Sequence, residues 1–85
     1  MKTKKWISRR TKTPEHLAYL KKLGSQIRKI RVSKGYSQDR VYLEAGFSRA
    51  NMTRIENGEV DPQAYTLKRI AYTIGVSVKR FFDFE

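Results

Sequence analysis

The sequence predicts an all-α fold, a bundle of five helices, on three observations. No segment alternates apolar and polar residues with the period of two that a half-buried strand requires. Apolar residues recur at three-to-four-residue spacing, as in Leu17, Leu20, Leu23, Ile27 and Ile30, and again in Leu67, Ile70, Ala71 and Ile74. Four helix starts in series also carry the same local device, a capping residue flanked by two apolar ones.

The first helix is predicted over residues 14–34. Thr13 is placed to cap it, Pro14 sits at the first helical position where its missing N–H costs nothing, and Glu15 meets the positive end of the helix dipole. Gly35 ends it. Gly24 lies inside it at a cost of about 1 kcal/mol relative to Ala and marks a point where the helix can kink or break.

The other four begin at Ser37, Ser48, Asp61 and Ser77, each with a side-chain oxygen able to accept an otherwise unpaired backbone N–H. The residue before each cap and the residue five places on are apolar or aromatic: Tyr36 with Val41, Phe47 with Met52, Val60 with Tyr65, Val76 with Phe81. That is the spacing of a hydrophobic staple, which fixes the angle at which the chain enters a helix. These starts place helices at 38–45, 49–57, 62–74 and 78–84, with Gly75 closing the fourth. The first helix lacks a staple, since Lys12 precedes its cap. The chain therefore divides into a flexible basic N-terminal arm, residues 1–13, and one domain, residues 14–85. Within the arm, Trp6 and Ile7 are expected to be disordered in the free chain rather than packed on the domain or inserted into a partner.

Length and composition narrow the class. A chain of 85 residues supports one domain with a modest core, which an association partner would help to stabilise. Cysteine is absent, excluding disulfides and thiolate metal sites. No apolar run approaches the ~20 residues of a membrane span, and no apolar stretch follows the lysine-rich start as in a secretion signal. The expectation is a cytoplasmic protein with no membrane partner. His16 is the single histidine, so neither a metal nor another cofactor is expected. No Ser/His/Asp set, Gly-rich phosphate loop or His-Glu-x-x-His motif is present, which leaves an enzyme without a catalytic constellation.

Charge points to a polyanion. The net charge is +11, and residues 1–34 hold twelve Lys or Arg against Glu15 alone, whereas residues 35–85 hold seven of each sign. A field this lopsided favours nucleic acid or an anionic membrane surface.

Residues 44–58, EAGFSRANMTRIENG, refine this. At about 100° per residue, Met52 and Ile55 of the third helix point to one side. Arg49, Ala50, Thr53, Arg54 and Asn57 gather on the opposite side. Arginine can read guanine bidentately in the major groove, Ala or a Thr methyl can touch the thymine methyl, and small residues let the backbone come close. The short helix before it, joined through Ala45-Gly46-Phe47-Ser48, completes a helix-turn-helix over 38–57.

LGSQIRKIRVSKGYSQ, followed by EAGFSRANMTRIENGEVDPQAYTLKRIAYTIGVSVKRFF, resembles the helix-turn-helix domain of the phage repressor and Cro type, a family that includes bacterial regulators, restriction–modification controller proteins and antitoxins. The resemblance covers roughly residues 23–82. It implies a five-helix bundle of the phage-repressor type in which Gln38 holds a phosphate or braces the third helix, and Asn57 offers its amide to a phosphate. It further implies that Arg49, Ala50 and Arg54 reach base edges, with Ser48, Asn51 and Thr53 as secondary candidates. Arg31 and Glu56 match a structural pair of the family. Arg28, Lys29 and Lys34 are expected near phosphates. One departure stands out: Tyr42 occupies a position where the family usually has Ala, so the helices must splay or the ring must turn outward toward DNA or another subunit. Leu43 falls off the inward face. Phe81, Phe82 and Phe84 exceed what one short helix can bury and suggest a dimer interface.

The expected function is a sequence-specific, double-stranded-DNA-binding transcriptional regulator, homodimeric on a two-fold operator. The alternatives are an antitoxin whose DNA binding is autoregulatory and whose protein partner is a toxin, or a non-specific nucleic-acid-binding basic protein.

Overall fold

The computed structural model describes residues 12–85. The described part of the chain forms four α-helices, α1 (Pro14–Ser33), α2 (Gln38–Ala45), α3 (Arg49–Glu56) and α4 (Ala64–Ile74), followed by a 3₁₀ helix at Val78–Phe82. The fifth helix is thus a 3₁₀ turn rather than the α-helix expected over 78–84. Most of the basic arm, with Trp6 and Ile7, lies outside the described residues.

The caps explain most of these boundaries. The Thr13 hydroxyl accepts from the N–H of His16 at 3.0 Å. Those of Ser37 and Ser48 accept from Arg40 and Asn51, both at 3.1 Å, and that of Ser77 from Lys79 at 3.2 Å. In three of the four expected staples the inner member, Val41, Met52 or Phe81, is 0% exposed. Burial of such a side chain stabilises the fold by roughly 1.5–3 kcal/mol.

The fourth expected start is wrong. Asp61 caps nothing; its carboxylate meets the His16 ring at 3.2 Å, and α4 begins three residues beyond it with Gln63 in the cap position and no side-chain cap bond. Tyr65, expected to staple, is 62% exposed, whereas Leu67 faces the core with Ile70, Ala71 and Ile74, as their spacing predicts. Leu17, expected on the inward stripe, is 40% exposed.

The core joins Leu23, Ile27 and Ile30 of α1 to Val41, Met52, Ile55, the α4 stripe Leu67, Ile70, Ala71 and Ile74, and Phe81. Helix α2 packs on α3 and α4, and α1 packs on α3 and the 3₁₀ helix. Gly46 makes the α2–α3 corner with φ 82°, a left-handed conformation that favours glycine. Arg69 of α4 closes that corner from below, its Nε donating to the carbonyl of Ala45.

Helix α1 runs unbroken through Gly24. Glycine is needed there for another reason: a β-carbon would stand 2.6 Å from the carbonyl oxygen of Glu56 and closer still to that of Ile55. The end of α3 therefore rests backbone to backbone on α1. Gly24→Ala should cost about 1–3 kcal/mol through overpacking, despite a gain of about 1 kcal/mol in helix propensity. Urea unfolding checks this, and a variant as stable as the parent would show that α1 and α3 separate freely.

Candidate nucleic-acid interface

A polar cluster beneath α3 sets its orientation. Arg31 binds the Glu56 carboxylate bidentately, Nε to Oε2 at 2.6 Å and Nη2 to Oε1 at 3.0 Å, and both side chains are buried. Its Nη1 donates to the carbonyl of Tyr36 at 2.7 Å, and Gln38 Nε2 donates to Glu56 Oε1 at 2.8 Å. The four groups link α1, the α1–α2 turn, α2 and α3. Burying the two charges is tolerable because each is hydrogen-bonded along its whole functional edge. Gln38 here braces α3, its Oε1 also accepting from the Thr53 hydroxyl at 3.4 Å.

With α3 held this way, Arg49, Ala50, Arg54 and Asn57 are exposed on the outer surface. Thr53 is half-buried, its hydroxyl turned to α2, and so is Asn51. The Ser48 hydroxyl is occupied as the α3 cap. Arg49 leans onto α2. Its Nε donates to the Tyr42 hydroxyl and its Nη2 to Asp39 Oδ2, both at 3.2 Å. The Tyr42 hydroxyl, as acceptor, and then the Asp39 charge raise the guanidinium pKa above its ordinary value.

Tyr42 is thereby resolved without splaying. Helix α2 still packs on α3, and the half-buried ring turns outward so that its hydroxyl meets Arg49. The partnership with Asp39 was not legible in the sequence, since the two residues are ten positions apart and meet across the turn. Leu43 is exposed, as expected.

Helix α1 adds cations at the other end of α3. Lys21 lies so close that a β-carbon on Gly58 would stand 2.7 Å from its Cα, which brings a lysine beside Asn57. Sequence spacing gave no signal for this, because the approach depends on Gly24 and Gly58 lacking side chains. Arg28 lies one turn beyond Gly24 on α1, and Arg28, Lys29 and Lys34 are all exposed. Asn57 donates to Glu59 at a long 3.5 Å.

The three C-terminal aromatics do not form one exposed patch. Phe81 is fully buried in the core, which removes it as a dimer-interface candidate. The 3₁₀ helix folds back on α1, tied by Gln26 Nε2 to the carbonyl of Arg80 at 3.0 Å. Phe82 and Phe84 are half-buried, Phe84 edge-on to Tyr19 at 5.2 Å.

Comparison with known proteins agrees with this geometry. A helix-turn-helix family of the Cro and phage-repressor type matches residues 27–81. The chain is 34% identical over 64 residues to the HTH-type transcriptional regulator SlrR of Bacillus subtilis, covering 74% of this chain and 42% of that protein. It is 35% identical over 57 residues to the HTH-type transcriptional regulator y4dJ of Sinorhizobium fredii, covering 67% and 74%. Among solved structures, it resembles the restriction–modification controller protein C.AhdI of Aeromonas hydrophila, with TM-score 0.74, 25% identity, and 76% and 98% of the two chains covered. The chain thus spans less than half the length of SlrR and nearly all of the controller protein.

Removing one partner of the polar cluster strands a buried charge. Glu56→Ala should destabilise by about 3–5 kcal/mol. Chemical unfolding measures this, and a loss under about 1 kcal/mol would mean that Arg31 reaches water when released.

Proposed function

The chain belongs to the helix-turn-helix family of the Cro and phage-repressor type, and on that premise we propose that it is a sequence-specific DNA-binding transcriptional regulator acting as a cytoplasmic homodimer. One observation carries the reading: the outer face of α3 presents Arg49, Ala50 and Arg54 from a helix whose pose is fixed by a buried ion pair. In this reading α3 enters the major groove. Arg54 and Arg49 read base edges, and Ala50 lets the backbone approach or meets a thymine methyl. Asn57, Lys21, Arg28 and Lys34 supply phosphate contacts, which position the protein without selecting sequence. Gln38 acts through Glu56 rather than on the backbone of DNA.

The relatives support the regulator reading, being named as transcriptional regulators and, for the structural relative, as a controller protein. They are not enzymes. Among the described residues no helix is long and apolar enough to cross a membrane. Of the three C-terminal aromatics expected at a dimer contact, the half-buried Phe82 and Phe84 remain candidates.

Selecting binding sites from random DNA near physiological salt tests the proposal. The expected result is a two-fold site with half-site centres about 10 base pairs apart; no enriched sequence would overturn it. On the selected site, Arg54→Ala should cost about 1–3 kcal/mol and relax the preference at one base pair per half-site. Equal weakening on every sequence would remove Arg54 from base reading. Deleting residues 2–12 should lower affinity for all DNA and flatten its dependence on salt, because counterion release scales with phosphates neutralised. An unchanged slope would show that the arm touches none.

A further inference from the structure

Of the two outward arginines of α3, Arg49 is the one already held within the chain. Its Nε is bonded to the Tyr42 hydroxyl and its Nη2 to Asp39, and Cζ stands 5.9 Å from the Tyr42 ring centroid. The ion pair is open to water, with the two side chains 68% and 56% exposed. Contacts this exposed add little to stability. Their effect falls on the conformation of the arginine.

A guanidinium has two edges able to make paired hydrogen bonds. The side-on edge runs through Nε and Nη2, and Tyr42 and Asp39 occupy it together. The end-on edge, through Nη1 and the second proton of Nη2, stays free. That edge carries two parallel donors, matching the O6 and N7 acceptors of guanine. A flexible arginine would pay for its own ordering on binding and could spend either edge on a nearby phosphate. Both of those freedoms are reduced when one edge is occupied from α2. Tyr42 is also where this sequence departs from the small residue usual in the family it resembles, so the hold on Arg49 comes with the departure.

We propose that Tyr42 and Asp39 are specificity-positioning residues, which act from α2 on the side-on edge of Arg49 and leave only its end-on edge to select guanine. The inference rests on the reading of α3 as the base-reading helix. Neither residue touches a base in this scheme.

The test measures relative affinities of the full chain, at one fixed salt concentration, for the selected operator and its single-base-pair variants. Five proteins are compared with the parent: Arg49→Ala, Tyr42→Phe, Asp39→Asn, Asp39→Glu and the combined Tyr42→Phe, Asp39→Asn variant, with thermal unfolding recorded for each. Arg49→Ala should abolish the preference at one base pair per half-site. The combined variant should reduce the preference at that same base pair about two- to tenfold, as expected for an arginine that must now be ordered on binding. The base pair sensitive to Arg54→Ala and the melting temperature should not move. Asp39→Glu, which keeps the charge, should restore most of the preference lost in Asp39→Asn.

Three results overturn the inference. Full preference at the Arg49 base pair in the combined variant refutes positioning while leaving base reading intact. Equal loss at all base pairs with a lower melting temperature assigns the two residues a structural role only. An Arg49→Ala variant with an unchanged profile at every base pair overturns the inference together with Arg49's place in the base-reading scheme it rests on.

Discussion

A single buried carboxylate, that of Glu56, holds the working parts of the bundle in register. It receives Arg31 from α1 along both oxygens and Gln38 from α2, while Arg31 also engages the Tyr36 carbonyl in the connecting turn. A buried pair of this kind returns little net stability, because desolvating both charges offsets most of their attraction. Its value is geometric. An apolar contact is non-directional and tolerates rotation of one helix on another, whereas a bidentate pair fixes distance and angle together. The pair also depends on backbone proximity, since Gly24 lets the last carbonyls of α3 rest on α1.

The two ends of α3 are supported differently. Its C-terminal end lies on α1, with Lys21 beside Gly58, and its N-terminal end is governed by α2 through the Ser48 cap, the Gly46 corner and the Arg49 contacts with Tyr42 and Asp39. Met52 and Ile55 anchor the middle in the core. A helix of eight residues has no stability of its own in water, so its pose is set wholly by these neighbours. Changes in α1 would thus reach the Asn57 end of the outer face, and changes in α2 the Arg49 end.

Much of this was legible in the sequence because local rules act over a few residues. Ser37, Ser48 and Ser77 cap where their spacing places them, and Val41, Met52 and Phe81 are buried where the staple spacing puts them. Arg31 and Glu56 were legible only through the family resemblance, since nothing local joins residues 25 positions apart. The failures also share a cause. Asp61 satisfied the local rule for a cap, but His16 of a distant helix takes its carboxylate and α4 starts later. Phe81 looked surplus when counted against one short helix, yet the core of four other elements receives it. Arg49 was assigned to the outer face correctly, while its tie to Asp39 depended on how the turn folds α2 against α3. In each case a long-range contact decided between outcomes that local chemistry permits.

The charge asymmetry gains a structural meaning from the partners of the acidic groups. All seven acids of residues 35–85 have a side-chain partner: Asp39 with Arg49, Glu44 with Arg40, Glu56 with Arg31, Glu59 with Asn57, Asp61 with His16, Asp83 with Arg80 and Glu85 with Tyr19. Four of these acids pair with arginines, Glu59 and Glu85 meet the uncharged Asn57 and Tyr19, and three of the seven, Glu56, Asp61 and Glu85, reach back to residues of α1. Salt screens exposed charges over about 8–10 Å and buried pairs much less. The field of Lys21, Arg28, Lys29 and Lys34 is accordingly short-ranged and salt-dependent, while the tie between Arg31 and Glu56 is not. Attraction to a polyanion and the pose of α3 thus rest on separate electrostatic systems, one exposed and adjustable, the other enclosed and fixed.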